Sequence, residues 1–242
     1  MSTLYIVATP IGNLEDITFR AVRILGEVDL ILCEDTRQTR KLLNHYSVQT
    51  PTMSYHSQSS LSKVDVIIKM LAEGKNLALV SDAGTPTISD PGVLLVSEVK
   101  KALGDKILAG EISIMPIPGP NAAIATLSAS GLPSSDFLFL GFLPHKKGRE
   151  TLFKEIGASE RTVVFYESPH RIMKTLASLG EHCASDQIVV IGRELTKMFE
   201  EIITGSPAEL ATYFESNPDK CRGEMVVAVG RLLGKKSRAS DF

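Results

Sequence analysis

The feature that most constrains this chain is the alternation, through its first half, of short apolar runs with amphipathic segments. Uncharged runs of strand length occupy residues 4–7, 30–33, 77–80 and 113–117. Between them, apolar residues recur at the spacing expected of a helix face. This order is typical of βα units on a mostly parallel sheet, because a parallel strand needs a crossover to reach its neighbour. The first half is therefore predicted to form an α/β domain.

The pattern changes after Pro118 and Gly119. Five further apolar runs are predicted as strands of a mixed sheet, with helical segments between them. The predicted fold class is α/β with two α/β domains, of which the N-terminal sheet is mostly parallel and the C-terminal sheet is mixed. The predicted boundaries are 1–118 for the N-terminal domain, 119–233 for the C-terminal domain and 234–242 for a basic tail.

Local signals predict where two of the helices begin and end. Asp90 is a typical residue before a helix start, and Gly104 is expected to end that helix. Ser168 predicts a second start, which would place His170 and Arg171 on the first helical turn. Free backbone N–H groups at such a turn favour an anion.

Composition narrows the classes of function. Hydrophobic residues make up 43% and charged residues 22% of the chain, and its formal net charge is -2. This balance is typical of a soluble globular protein and excludes intrinsic disorder and an overall basic surface. The three cysteines and five histidines show no metal-ligand spacing, so we expect reduced thiols, a cytoplasmic protein and no metal. We expect no targeting segment and no membrane helix, since prolines and glycines interrupt the uncharged stretch 112–135.

Four loops follow the predicted strands of the first half, at 8–13, 34–37, 81–86 and 118–123. Ligands of open α/β sheets bind beyond the carboxyl ends of the strands. The chain has neither the G-x-G-x-x-G loop of dinucleotide-binding folds nor the G-x-x-x-x-G-K-[ST] loop of triphosphate-binding folds. Any one of these loops is better explained as a turn, but four at one sheet edge favour a ligand pocket.

Basic residues cluster at 37–41, 145–149 and 235–238, where they could meet phosphates. A run of charge is more often a solvated surface, and Glu167 could equally pair with Arg171. Charge alone therefore leaves RNA contact open.

Six short motifs occur in order along the chain. They read T-P-I-G-N at 9–13, C-E-D-T-R at 33–37, S-D-A-G-T-P at 81–86, P-G-P-N-A at 118–122, E-S-P-H-R at 167–171 and R-E-L-T-K at 193–197. Together they resemble the ribosomal RNA small subunit methyltransferase I family of the tetrapyrrole methylase superfamily. The resemblance extends from Leu4 to Val229 and shows no departure within these motifs.

The resemblance implies a two-domain methyltransferase, usually a homodimer, that binds S-adenosylmethionine in a cleft between its domains. It further implies methylation of the ribose 2'-hydroxyl of a cytidine in the decoding region of 16S rRNA, within the small ribosomal subunit. The cofactor-binding positions carried over onto this sequence are Pro10, Ile11, Gly12, Asp82, Ala83, Gly84, Thr85, Ile88, Asn121 and Ala122.

Methyl transfer to a hydroxyl needs two aligned reactants and a group that takes the hydroxyl proton, but it needs no metal. Glu34, Asp35 and Lys197 are all candidates for the base, and Arg37 is expected on the side of the methyl acceptor. The residues expected to contact RNA are Arg40, Lys146, Lys147, Arg149, His170 and Arg171.

Two other classes of function remain open. A tetrapyrrole methylase or a methylase of a diphthamide precursor would share the cofactor site but would need an apolar or protein-accepting groove. A non-catalytic ligand sensor or ribosome-binding module would bind the cofactor without transferring its methyl group. Composition does not separate these alternatives.

Overall fold

A computed structural model describes residues 1–56 and 61–232, and the predicted basic tail lies outside these residues. The chain divides into two compact units, Met1–Asn121 and Ala122–Phe242, here called the N-terminal and C-terminal units. Within the described ranges, no helix combines the length and the apolar character that crossing a membrane requires.

The N-terminal unit is a five-stranded parallel sheet with helices on both faces. Its strands are β1 (Ser2–Val7), β2 (Leu30–Cys33), β3 (Thr52–Ser54), β4 (Leu77–Leu79) and β5 (Ile112–Ile117), in the spatial order β3-β2-β4-β1-β5. Its helices are α1 (Phe19–Glu27), α2 (Thr36–His45), α3 (Leu61–Ala72) and α4 (Gly92–Leu108), with a short 3-10 helix at Leu14–Asp16.

Alternate residues of the strands supply two separate cores, one on each face of this sheet. Val7 and Ile31 pack with α1 and α2. Leu4 and Leu32 pack with α3 and α4. Because both faces are buried, the central parts of β1, β2 and β4 are apolar, which is why they read as uninterrupted runs in the sequence. The predicted parallel α/β domain is confirmed.

The end predicted for α4 is wrong. The helix passes through Gly104 and continues to Leu108, with a kink where Leu103 has φ -121° and ψ 19°. Gly110, at φ +73°, lies two residues beyond the helix in the left-handed region that commonly follows a helix C-terminus. A glycine is a stop signal only when it adopts that conformation, and Gly104 does not.

The C-terminal unit contains a mixed five-stranded sheet, as predicted. Its strands are β6 (Phe137–Phe142), β7 (Thr162–Glu167), β8 (Ile188–Arg193), β9 (Glu201–Gly205) and β10 (Met225–Gly230), in the spatial order β6-β7-β10-β8-β9. Of the pairs between these described strands, β6 with β7 is parallel and the other three are antiparallel. The helices are α5 (Ala122–Ser130), α6 (Arg149–Ala158), α7 (Ile172–His182) and α8 (Pro207–Ser216), with a 3-10 helix at Pro218–Lys220.

Three phenylalanines form the centre of the C-terminal core. Phe153 of α6, Phe165 of β7 and Phe214 of α8 are each at most 1% exposed and belong to one apolar cluster with α7. Helix α5 packs across β7, β8, β9 and β10.

The start predicted for α7 is also wrong. The helix begins at Ile172, and residues 168–171 form a turn before it. Ser168 accepts a hydrogen bond from the His170 N–H within this turn, while Arg171 pairs back with Glu167. His170 and Arg171 therefore precede the helix and do not provide an anion site on its first turn.

Candidate functional site

The loops that follow the strands of the N-terminal unit share one edge, because all five strands run in the same direction. Residues 8–13 follow β1, residues 34–35 follow β2, residues 80–91 follow β4 and residues 118–121 follow β5. This edge is where open α/β sheets bind their ligands.

Backbone hydrogen bonds join the loop after β1 to the loop after β4. The Thr9 N–H donates to the Gly84 carbonyl at 2.9 Å, and the Gly84 N–H donates to the Thr9 carbonyl at 3.0 Å. The Thr9 hydroxyl donates to the Ser81 carbonyl at 3.1 Å, and the Ser81 hydroxyl donates to the Ala83 carbonyl at 3.0 Å. These contacts pair polar groups of the two loops with each other and hold the loops in one arrangement.

The loop after β5 joins the same cluster. The Thr85 hydroxyl donates to the Pro120 carbonyl at 3.0 Å. Gly84 has φ +79°, and a Cβ atom there would lie 3.3 Å from Ile11 Cγ2 and 3.5 Å from the Pro120 carbonyl oxygen. The three loops are thus packed around a position where a side chain would be strained and crowded.

Besides Asp35, the carboxyl groups of Glu34, Asp82 and Asp90 lie at this edge. Asp82 accepts a hydrogen bond from the Asp35 N–H at 3.2 Å. Asp90 accepts from the Thr87 N–H at 3.1 Å and from the Gly92 N–H at 2.6 Å, which fixes the loop before α4. Asp82 and Asp90 therefore have structural partners.

Glu34 has a raised proton affinity. Partial burial, a hydrogen bond with Asp90 and the negative charges of Asp90 and Asp82 raise the pKa of Glu34 to about 7. A carboxyl group with such a pKa exchanges its proton near neutral pH, which suits it for general acid or base chemistry.

Asp35 and Arg37 pair with each other at the start of α2. The two side chains form a bidentate pair, with distances of 2.9 Å for Nη2 to Oδ2 and 3.2 Å for Nε to Oδ1. Asp35 also accepts from the Arg37 N–H at 2.8 Å. These hydrogen bonds lower the pKa of Asp35 below its usual value, which makes it a weak base.

Lys197 lies in the C-terminal unit between two glutamates. Its ammonium group is 2.9 Å from Glu194 and 2.8 Å from Glu224. Burial opposes the charge, but the hydrogen bonds to Glu224 and Glu194 outweigh it and raise the pKa of Lys197. A lysine with a raised pKa stays protonated at neutral pH and is a poor proton acceptor.

A buried carboxylate organises the turn after β7. The side chain of Glu167 is 0% exposed and lies 2.6 Å from Arg149 and 2.8 Å from Arg171. It also accepts from the Thr175 hydroxyl at 2.6 Å and from the Ser168 N–H at 2.7 Å. Burial raises its pKa, but hydrogen bonds from Arg149, Thr175 and Ser168 dominate and keep the pKa below its usual value.

The residues expected to contact RNA fall into two groups. Lys146, Lys147 and His170 are exposed. Arg149 and Arg171 have side chains only 14% and 17% exposed and are committed to Glu167. The remaining residue of the set, on α2, is Arg40, whose guanidinium donates to the Thr52 hydroxyl at 3.2 Å.

One group of possible metal ligands occurs among the described residues, on α6 and α7. One ligand atom from each of Glu150, Glu181 and His182 lies within 4.8 Å of the others. Glu150 and His182 already pair with each other at 2.6 Å. Exposed acidic groups commonly occur in this way without an ion.

Comparison with known proteins identifies the family. The family model described as Tetrapyrrole (Corrin/Porphyrin) Methylases matches residues 3–211. The chain belongs to the tetrapyrrole methylase family. Within it, the chain is 47% identical over 227 residues to the ribosomal RNA small subunit methyltransferase I of Vibrio cholerae, covering 93% of this chain and 76% of that protein. It is 44% identical over 230 residues to the protein of the same name from Bacillus subtilis, covering 95% of this chain and 75% of that protein.

Solved structures of other tetrapyrrole methylases have the same fold. A cobalt precorrin-4 methyltransferase of cobalamin biosynthesis matches with a TM-score of 0.64 at 17% identity, over 93% of this chain and 94% of its own. A uroporphyrin-III C-methyltransferase from Thermus thermophilus matches with a TM-score of 0.63 at 17% identity, over 95% of this chain and 94% of its own. Both likenesses support the fold assignment.

Nine of the ten cofactor positions expected for this family fall on the three loops that the hydrogen bonds join. Residues 10–12, 82–88 and Asn121 belong to these loops, and Ala122 begins α5. Their role in binding a cofactor stays a prediction. Sequence reasoning missed the pairing of Glu34 with Asp90, for which the only signal was two acidic residues after neighbouring strands.

Replacing Glu34 with Gln should change the pH dependence of stability. The folded protein retains a proton on Glu34 between its ordinary pKa of 4.5 and its pKa of about 7 in the fold, whereas the unfolded chain has released it. Glu34 therefore lowers the free energy of unfolding as the pH rises through this window. The free energy of unfolding of E34Q, relative to that of the wild type, should therefore rise by about 1 kcal/mol from about pH 5 to about pH 8, after allowance for solvent screening.

Urea denaturation at both pH values measures this gain. Glu111→Gln, at an exposed position of the same unit, is the control. An equal effect of E34Q at the two pH values would contradict the raised pKa.

Proposed function

We propose that this chain transfers a methyl group from S-adenosylmethionine to the 2'-hydroxyl of a cytidine in the decoding region of 16S rRNA. The observation that carries the proposal is the identity of 44% to 47% over nearly the whole chain with proteins named ribosomal RNA small subunit methyltransferase I. The proposal includes action in the cytoplasm on the small ribosomal subunit, as a homodimer.

The N-terminal edge suits S-adenosylmethionine. The loops carry small residues at Gly12, Ala83 and Gly84, so a ligand can approach the backbone closely. The carboxyl groups of Asp82 and Glu34 complement the positive charge of a sulfonium and an amino group. The absence of phosphate-binding loops is consistent with a ligand that has no phosphate. When bound, S-adenosylmethionine supplies an electrophilic methyl group.

Among the candidate bases, Glu34 is favoured. Its pKa of about 7 lets the carboxylate form accept the hydroxyl proton of the ribose near neutral pH. Asp35 is held as an anion by Arg37, and Lys197 is held as a cation by two glutamates. In this proposal Asp35 and Arg37 orient the loop beside the acceptor, and Lys197 stabilises the turn after β8.

Two alternatives are less well supported. A methylase of a tetrapyrrole or of a diphthamide precursor shares the fold, but the chain is only 17% identical to the two corrin and porphyrin methylases described above. A non-catalytic sensor would have no use for a carboxyl group poised near neutral pH at the cofactor edge.

Methyl transfer from labelled S-adenosylmethionine is the direct test. The protein is incubated separately with free rRNA, assembled small subunits, a porphyrinogen and total protein, and label is expected only in 16S rRNA, on a ribose. Label in the porphyrinogen or in protein would favour the other methylases. Cofactor binding without any transfer would favour the sensor.

Gly84→Val should weaken S-adenosylmethionine binding at least about tenfold, a loss near 1.4 kcal/mol. The added side chain meets Ile11 and Pro120 and cannot hold φ +79° without strain, so the three loops must move apart. Calorimetry measures the affinity. Gly74→Val is the matched control, because Gly74 also has a positive φ, +93°, but has nothing within 4 Å of an added Cβ atom. Equal losses in the two variants would show that the effect is general destabilisation.

Replacing Lys146 and Lys147 with Ala should make RNA binding both weaker and less sensitive to salt. Each lost contact with a phosphate of single-stranded RNA lowers the slope of log affinity against log salt by about 0.7. Filter binding at several salt concentrations gives this slope. Lys69→Ala with Lys106→Ala, exposed on α3 and α4, is the control. An unchanged slope would mean that the two lysines form only a solvated surface.

A further inference from the structure

A β-bulge changes the direction of the last residue of β6. Phe139 pairs with Val164, but the next pair joins Phe142 to Tyr166, so β6 contains one more residue than β7 over this stretch. Gly141 has φ +62°, in the region that favours glycine. Bulges of this kind redirect a side chain and are common beside functional sites. Here the residue after the bulge, Phe142, is 64% exposed.

The exposed ring has a rigid aromatic support. The rings of Phe142 and Tyr166 lie 5.0 Å apart between centroids, and Phe139 packs edge-on against Tyr166 at 5.2 Å. The Tyr166 hydroxyl hydrogen-bonds the Ala123 backbone, at the start of α5. An aromatic ring that is supported from beneath and open to solvent can accept another flat ring at little entropic cost.

Cationic side chains follow immediately in the chain. Lys146 and Lys147 are exposed, four and five residues after Phe142. The backbone between them is held in place: Arg171 donates to the Leu143 carbonyl at 3.3 Å and Arg149 donates to the Pro144 carbonyl at 3.2 Å. Because both arginines also bind the buried Glu167, the position of the loop is set from the core.

We propose that Phe142 is a stacking platform for an unpaired base of the RNA substrate, with Lys146 and Lys147 contacting the neighbouring phosphates. An exposed aromatic ring beside cations is how proteins bind single-stranded nucleic acid, since every base has a stackable face. The inference rests on the proposed function and names the part of the RNA that this loop recognises. In this arrangement Arg149 and Arg171 position the loop and do not touch the RNA.

The surroundings of Phe142 favour a base over a protein partner. The next apolar side chain, Leu143, is 2% exposed, so the apolar surface of this loop is restricted to one ring. Protein interfaces bury a wider apolar area with little positive charge at the centre. A single ring followed by two lysines complements a nucleotide, which presents one flat apolar face and one negative charge.

The chain contains no tryptophan, which allows a direct test. Phe142→Trp introduces a single indole, and an unpaired RNA oligonucleotide of about ten nucleotides should quench its fluorescence by stacking. The same oligonucleotide annealed to its complement should quench it much less. Phe19→Trp, at a phenylalanine that is 98% exposed on the N-terminal unit, is the matched control and should not be quenched.

Affinity provides the second measurement. Phe142→Ala should weaken binding of the unpaired oligonucleotide about tenfold, and Phe142→Tyr should restore it, because stacking needs only an aromatic ring. The salt slope should be the same in Phe142→Ala as in the wild type, in contrast to the lysine variants. Unchanged affinity in Phe142→Ala, or equal quenching by the paired oligonucleotide, overturns the proposal. The proposal is also overturned if the indole emission of the Phe142→Trp variant, measured without RNA, changes with protein concentration. Such a change would indicate a contact between copies of the chain.

These outcomes are separable from failure of the proposed function. If the wild type methylates 16S rRNA and Phe142→Ala does so with unchanged affinity, only the stacking inference fails. If the wild type neither binds nor methylates any RNA, the proposed function itself fails.

Discussion

The paired hydrogen bonds between the backbones of Thr9 and Gly84 are the interaction on which the N-terminal site depends. They join two loops that belong to neighbouring strands, and the Thr85 hydroxyl extends the connection to Pro120. Because the backbones make these contacts, the two loops do not need large side chains to hold them together. A parallel sheet supplies the common edge, but these few contacts turn separate loops into one surface with a defined shape.

The fold could be predicted because its information is local. Continuous apolar runs predicted a parallel sheet buried on both faces, and alternation of strands with helices predicted the two α/β domains. The predicted end of α4 and the predicted start of α7 were wrong because each rested on a residue type that occurs in more than one structural role. Gly104 lies inside α4 without the left-handed conformation in which a glycine commonly ends a helix, and Ser168 belongs to a turn whose last residue, Arg171, pairs back with Glu167.

The candidate site was less predictable, because its chemistry depends on distant neighbours. The loops could be found from the sequence, since strand ends mark them. The proton affinity of Glu34 could not, because it comes from partial burial and from Asp90 and Asp82, which a later loop brings beside it. Arginines illustrate the same limit: Arg149 and Arg171 were expected to contact RNA, with a pairing of Arg171 and Glu167 as the alternative, and both side chains pair with this buried carboxylate. Residue type gives the charge, whereas burial decides what the charge contacts.

The burial of Glu167 has a consequence for how this loop responds to its medium. Ion pairs shielded from water are screened little by dissolved ions, whereas exposed charges are screened within about 8 Å at physiological ionic strength. The backbone from Leu143 to Pro144, fixed through the two arginines, should therefore keep its shape across a wide range of salt. The exposed Lys146 and Lys147, in contrast, are screened by dissolved ions. If the loop binds RNA as proposed, salt should therefore weaken the contacts of Lys146 and Lys147 with phosphates without changing the shape of the loop.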